Sequence, residues 1–188
     1  MSNFETAITI LLKHEGGFVN NVHDAGGITN YGVSLRFLKD HPELGDFDHD
    51  GDVDADDIKN MSEDDAKNVY KTCWWDKFNY GLINDQTIAT KTFDYSVNMG
   101  AKRAHIILQT ALNTAFNLNL TCDGSLGKMS FSAINNIISD DDKQQFISAY
   151  SDATWEFYKK LITNNPDYEE FRNGWKNRAY SINVANSI

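Results

Sequence analysis

Two glycine pairs, Gly16-Gly17 and Gly26-Gly27, interrupt a chain that elsewhere reads as helix. Upstream of the first pair, Phe4, Ala7, Ile8, Leu11 and Leu12 recur at helical spacing, so a first helix is expected to stop at Gly16. Glu15 lies four residues after Leu11 and seven after Ile8, which puts it on the apolar stripe rather than the wet face. It also falls in the last turn, at the negative end of the helix dipole. Both settings favour the protonated acid and predict a raised pKa. From Gly17 to Val33 the residues are β-branched or aromatic in short runs, which predicts a small hairpin or three-stranded patch with a turn at Asp24 to Gly27.

The remainder predicts helices. Ser34 is placed to cap one running through Leu35 and Leu38 towards Pro42, and another is expected from about Ala55 to Trp75. Ala104, Ile107, Leu108, Ala111, Leu112 and Ala115 form one stripe, Phe131, Ile134, Ile137 and Ile138 a shorter one, and Phe146, Ala149, Tyr150, Ala153 and Phe157 a third. Asn165-Pro166 supplies a cap and first position for a last helix carrying Tyr168, Phe171 and Trp175. The expected class is mainly α (α+β), with the small β element near the N-terminus. With 188 residues, 41% of them hydrophobic and only 2 prolines, a single domain spanning 1–188 is expected, without a flexible linker.

The formal net charge of −10 argues against nucleic acid as a partner, because phosphates reward a basic face. Seven of the acidic residues lie within 46–57, so the total mostly describes one loop. No apolar run is long enough to span a membrane, and Met1 to Lys13 lacks the basic start of a secretory signal. Cys73 and Cys122 read as two reduced thiols rather than a disulfide framework.

The loop has its own signature. Counting from Asp46, acidic side chains fall at positions one, three and five (Asp46, Asp48, Asp50), Gly51 at six, Asp52 at seven, Asp54 at nine and Asp57 at twelve. That is the spacing of an EF-hand calcium loop, with aspartate in place of the usual final glutamate. Asp52 would give its backbone carbonyl, and Asp54 would act directly or through water. A structural calcium ion is expected, since it would offset crowded like charge.

Glu15, Asp24 and Thr29 together suggest acid-catalysed glycoside cleavage. A general acid must remain protonated near neutral pH, a second carboxylate must stay ionised to activate water, and a threonine hydroxyl can hold that water. The surrounding glycines let a bulky sugar approach the backbone. Tyr31, Trp74, Trp75 and Tyr95, with Asn98 and Gln109 after them, are candidates to line a sugar cleft, although core packing explains each of them better when taken singly.

The run Glu-Gly-Gly-Phe-Val-Asn from Glu15, the later Asp-x-Gly-Gly-x-Thr-Asn-x-Gly-Val from Asp24, and Phe171-x-x-Gly174-Trp175-x-x-Arg178 resemble glycoside hydrolase family 108. Its members are N-acetylmuramidases, many of them phage endolysins. The resemblance implies a lysozyme-like fold, Glu15 as catalytic acid, and cleavage of the β-1,4 bond between N-acetylmuramic acid and N-acetylglucosamine. Glu15 and Asp24 are separated by eight residues, as in phage-type lysozymes, while Thr29 falls one position early. Within the chain, 1–95 would be the catalytic part. The remainder, 96–188, would be a helical lobe resembling a peptidoglycan-binding region, on the strength of Leu108-Gln109-x-x-Leu112-Asn113 and Asp123-Gly124-x-Leu126-Gly127. The implied partner is bacterial peptidoglycan, met by a monomer held in the host cytoplasm until a separate pore-forming protein releases it to the periplasm and wall. A lytic transglycosylase and a non-catalytic, calcium-dependent wall-binding module are the competing readings. Asp24 and Thr29 argue for hydrolysis over the first, and a single calcium loop in a much larger core argues against the second.

Overall fold

The computed structural model describes residues 1–15, 19–20 and 28–181, with 14, 15, 19, 20 and 181 described by backbone alone. The chain divides into two compact units, Ile8–Cys73 and Met1–Ala7 with Trp74–Ile188. Helix α1 (Phe4–Glu15) is shared by the two units and ends where the first glycine pair predicts. Its stripe is real: Phe4, Ala7, Ile8 and Leu11 are all buried. Asn3 caps it, its Oδ1 accepting the Thr6 N–H at 3.0 Å.

In the first unit, β1 (Val19–Asn20), β2 (Ile28–Asn30) and β3 (Val33–Ser34) form an antiparallel sheet in that order. Val19 pairs with Thr29, Thr29 with Ser34, and Asn30 with Val33. The two residues between Asn30 and Val33 both have positive φ, Tyr31 at 49° and Gly32 at 77°, as a two-residue hairpin of type I′ demands. Tyr31 has no glycine-like freedom there, and its carbonyl is held by the Tyr70 hydroxyl, which donates to it at 3.0 Å. Asn30 is buried and donates from Nδ2 to the carbonyls of Ile58 (3.1 Å) and Met61 (3.3 Å), closing the end of a helix that would otherwise leave them orphaned.

Ser34 does cap α2 (Leu35–Lys39), accepting the Phe37 N–H at 3.2 Å. The helix expected from Ala55 to Trp75 is three pieces: α3 (Ala55–Asn60), α4 (Glu63–Tyr70) and a π-helical segment at Lys71–Asp76. The break has a local cause. Ser62 and Asp65 form a capping box that starts α4 afresh, with Met61 left in an extended conformation (ψ 120°).

The second unit is built on α5 (Gln86–Met99), in which every residue from Thr87 to Ser96 is buried. A helix buried on all sides is a core helix, and α6 (Ala101–Phe116) and α8 (Asp140–Asn164) pack beside it. The predicted stripes are buried at Ala104, Ile107, Leu108, Ala111 and Leu112 on α6, and at Phe146 and Tyr150 on α8. Helix α7 (Lys128–Asn135) is shorter than expected: Ser139 caps α8, and Ile138 before it is 86% exposed. The last helix is likewise split, into a 3-10 segment Pro166–Phe171 capped by Asn165 and α9 (Arg172–Ser181). Trp75 meets Phe4 edge-on at 5.7 Å and Phe93 at 5.5 Å, giving this unit an aromatic core. Among the described residues no helix is long and apolar enough to cross a membrane. Cys73 is buried and Cys122 exposed, and both are free thiols.

Candidate functional site

Glu15 is the last residue of α1, so its backbone stands at the helix's C-terminal end. Its side chain and the whole of Asp24 lie outside the described residues. Thr29 sits in the middle of β2, half-buried and paired on both sides of the sheet, with Val19 and with Ser34. In the first unit, then, the end of α1 is followed in the chain by a central strand that carries Thr29.

The candidate sugar-binding residues have different surroundings. Tyr31 is half-buried at the left-handed hairpin position of the first unit. In the second unit Trp74 is half-buried and Asn98 exposed, its Oδ1 accepting the Tyr158 hydroxyl at 2.7 Å. Tyr95 is a correction. It is 0% exposed, and its hydroxyl donates to the Ala179 carbonyl at 2.8 Å, so it fastens α5 to α9 and offers no face to a sugar. Trp75 is likewise a core residue at 5% exposure.

Around Tyr95 lies a group of residues whose role was not read from the sequence. Lys91 is fully buried and donates from Nζ to the Tyr95 hydroxyl (3.2 Å), Ser151 Oγ (3.3 Å) and the Ala179 carbonyl (3.1 Å). Burial pulls its pKa down to about 8, against a smaller upward pull from Asp94. Asp94, also fully buried, pairs with Arg178 Nε at 3.4 Å. Arg178 belongs to the C-terminal Phe-x-x-Gly-Trp-x-x-Arg run, and Trp175 of the same run stacks on Tyr158 at 5.0 Å. That motif therefore docks α9 onto α5 and α8. Gln109 is also structural: its Oε1 accepts the Gly124 N–H at 2.9 Å and its Nε2 donates to the Ser125 carbonyl at 3.0 Å.

The acidic loop draws its carboxylates into two groups of three, Asp46 with Asp48 and Asp50, and Asp52 with Asp54 and Asp57. Within each group one oxygen from every residue lies within 4.8 Å of the others. Gly51 has φ +99°, the left-handed turn expected at position six. Asp57 is buried at 1% exposure and acts as a hub, accepting the Phe47 N–H at 2.7 Å and the Asp48 N–H at 3.4 Å on Oδ1, and the Asp54 N–H at 2.7 Å on Oδ2. It thereby joins the loop's start to the cap of α3. Asp46 Oδ1 is inaccessible to solvent and without a hydrogen-bond partner. The pKa of Asp48 is raised by desolvation and then by the charge of Asp50, and that of Asp52 by the charge of Asp50 and then by desolvation. The loop thus holds negative charge under mutual repulsion, with one buried oxygen unsatisfied.

Comparison with known proteins agrees with the motifs. Residues 8–100 match the family described as glycosyl hydrolase 108, and residues 103–180 match one described as "Predicted Peptidoglycan domain". The two matches meet beside Gly100, the φ +84° residue between α5 and α6. The compact units divide elsewhere, at 73/74, because α5 packs with the helices that follow it. Among solved structures, Brucella abortus SagA superposes with a TM-score of 0.72 at 23% identity, covering 95% of this chain and 90% of that one, which shows a shared fold. No curated protein matches the chain.

Proposed function

We propose that this chain, whose residues 8–100 match the glycosyl hydrolase 108 family, cleaves the β-1,4 bond between N-acetylmuramic acid and N-acetylglucosamine by hydrolysis. A glycoside hydrolase acting on peptidoglycan follows from the two families together. The particular bond and the fate of the water are the proposal. The observation that carries it is the placement of Glu15 at the C-terminal end of α1 within the matched segment. There the helix dipole opposes ionisation, which suits a general acid. In this reading Glu15 protonates the glycosidic oxygen, and Asp24, helped by the Thr29 hydroxyl, activates water on the opposite face of the sugar.

Digestion of purified sacculi followed by mass spectrometry tests the outcome. A hydrolase leaves reducing N-acetylmuramic acid, whereas a lytic transglycosylase leaves the anhydro form, lighter by one water. Glu15→Gln should keep the fold and remove nearly all product; normal clearing of the wall by that variant would overturn the assignment. Storage in a host cytoplasm and release by a separate pore-forming protein belong to the same proposal. Expression inside cells should then cause lysis only when a pore is co-expressed.

We also propose that the loop 46–57 binds one structural calcium ion. The donor set is all hard oxygen, which fits calcium, and the partnerless Asp46 Oδ1 is what a bound cation would satisfy. Asp46, Asp48 and Asp50 would provide side-chain oxygens and Asp52 its carbonyl. Asp54 and Asp57 would complete the shell, Asp57 using lone pairs left free by its backbone amides. A ligand that binds only the native state raises the melting temperature once it exceeds its dissociation constant. Calcium should therefore raise melting, chelator should lower it, and Asp48→Ala should blunt both. No heat of binding and no melting shift at millimolar calcium would sink the idea.

A further inference from the structure

Inside the segment that matches the peptidoglycan domain, α6 stops at Phe116 and the chain reverses through Asn117, whose φ is +50°. Asn113 fixes the turn by gripping Leu120 twice: its Oδ1 accepts the Leu120 N–H at 2.8 Å and its Nδ2 donates to the Leu120 carbonyl at 2.9 Å. Behind the turn, Phe116 stacks on Phe146 at 6.4 Å. This turn, α7 and the start of α8 enclose an open groove of about 920 Å³. Its walls are mainly hydrocarbon, from Phe116, Leu118, Leu120, Met129, Ala133 and Ile137. Two of these are left bare, Leu118 at 40% and Met129 at 71% exposure. Two charged residues of opposite sign, Lys128 and Asp142, also line it, and neither takes part in an ion pair among the described residues. Asp142 lies in the first turn of α8, its N–H capped by Ser139 Oγ at 3.0 Å, where the helix dipole stabilises a carboxylate.

We propose that this groove binds the peptide stem of peptidoglycan rather than its sugar backbone, a reading that rests on the wall-degrading function above. Pyranoses are held by open aromatic faces and dense hydrogen bonding. This groove offers a single ring, already stacked on another, among mainly aliphatic side chains, with Asn119, Ser132 and Asn136 its uncharged polar groups. A stem peptide brings the complementary set. Alanyl methyls and the aliphatic chain of a diamino acid suit the hydrocarbon walls, a free ammonium meets Asp142, and a carboxylate meets Lys128. Polyanions are disfavoured, since Asp140 and Asp141 precede Asp142 in the same helical turn. Engaging the peptide leaves the glycan free for the catalytic residues and makes attachment sensitive to the stem's composition.

The test is an NMR titration of the 188-residue chain with two probes: free L-Ala–γ-D-Glu–diaminopimelate–D-Ala tetrapeptide, and an N-acetylglucosamine tetramer without peptide. The tetrapeptide should shift the Leu118, Met129, Ser132 and Ile137 amides, and the sugar should not. Ser132→Trp, at an exposed helical position lining the groove, should weaken peptide binding at least ten-fold. Met129→Asp, which places a charge on the hydrocarbon wall, should do the same if Ser132→Trp fails to fold. Both variants should keep their rate on glycan strands stripped of peptide. Groove amides that stay still at millimolar tetrapeptide, or that move with the sugar, would refute the proposal. So would groove-dependent dimers in sedimentation, which would assign the face to a second copy of the chain. Loss of wall cleavage in the unmodified protein would instead refute the function on which the proposal rests.

Discussion

Charge is handled in opposite ways in the two compact units. Seven aspartates at 46–57 stand together on the first, only Asp57 among them buried; desolvation and then the charge of Asp50 raise the pKa of Asp48, and the charge of Asp50 and then desolvation raise that of Asp52. In the second unit α5 takes Lys91 and Asp94 wholly out of water, each with named partners: three acceptors for the lysine and Arg178 for the aspartate. Exposed carboxylates can persist half-satisfied because water screens them. Buried ions cannot, so each becomes a fastening point between elements far apart in the chain.

The largest effect that would break this contrast is expected at Asp94. Asp94→Ala leaves Arg178 and Lys91 without their buried counter-charge and should destabilise the protein by about 3–5 kcal/mol. Urea unfolding measures it. A loss below about 1 kcal/mol, the range of exposed pairs, would mean that the buried pair is no fastening point at all.

Why one region could be read in advance and the other could not follows from the same difference. The aspartate loop is written in local spacing, so Gly51 and the order of its acids could be recognised without knowing what they touch. The end of α1, the three short strands and the Ser34 cap were legible for the same reason. Helix α5 was not: its buried positions include Thr87, Thr90, Lys91, Thr92, Asp94 and Ser96, so hydropathy reports a wet helix where the fold has a core. Its partners Ser151 and Ala179 lie 60 and 88 residues from Lys91, beyond any local pattern. In sequence Tyr95 reads as a sugar platform, because an aromatic there gives no sign of which side it faces. Arg178 belongs to a recognisable C-terminal motif, yet its pairing with Asp94 is visible only in the fold.

Asp57 is the one member of the loop that behaves like α5, and it should cost next most to remove. Asp57→Ala would strand the N–H groups of Phe47, Asp48 and Asp54, with an expected loss of about 1–3 kcal/mol. Measured in chelator, that loss should persist, which separates the hub from any calcium ligand. If the variant is as stable as the parent in chelator, Asp57 is no hub, and the loop is uniformly a surface feature.

Lys91 sharpens the comparison through pH. Its folded pKa of about 8 lies below the ordinary 10.5, so between those values the unfolded chain binds more protons than the fold. Stability contributed by this group should therefore rise with pH across that window, by at most about 1.4 kcal/mol per unit. Lys91→Met should flatten that part of the curve. An unchanged slope would mean that the ammonium is not held away from water as the geometry indicates.

The smallest effect is expected at the loop's border. Lys59 pairs with Asp56 at 2.5 Å, and both side chains are more than half exposed. Lys59→Gln should leave the unfolding midpoint indistinguishable from the parent's, since exposed pairs recover little against screening and side-chain entropy. Its influence should appear instead as a field. Lys59 also feels the charge of Asp54, a proposed calcium-loop residue, so deleting the cation leaves the loop more negative. Calcium should then bind slightly tighter at low salt, and the gain should vanish as the Debye length shrinks. A salt-insensitive gain, or a stability loss comparable with that of Asp94→Ala, would show that a surface charge here works through a fixed contact. The two regions would then differ in degree of burial alone and share one way of using charge.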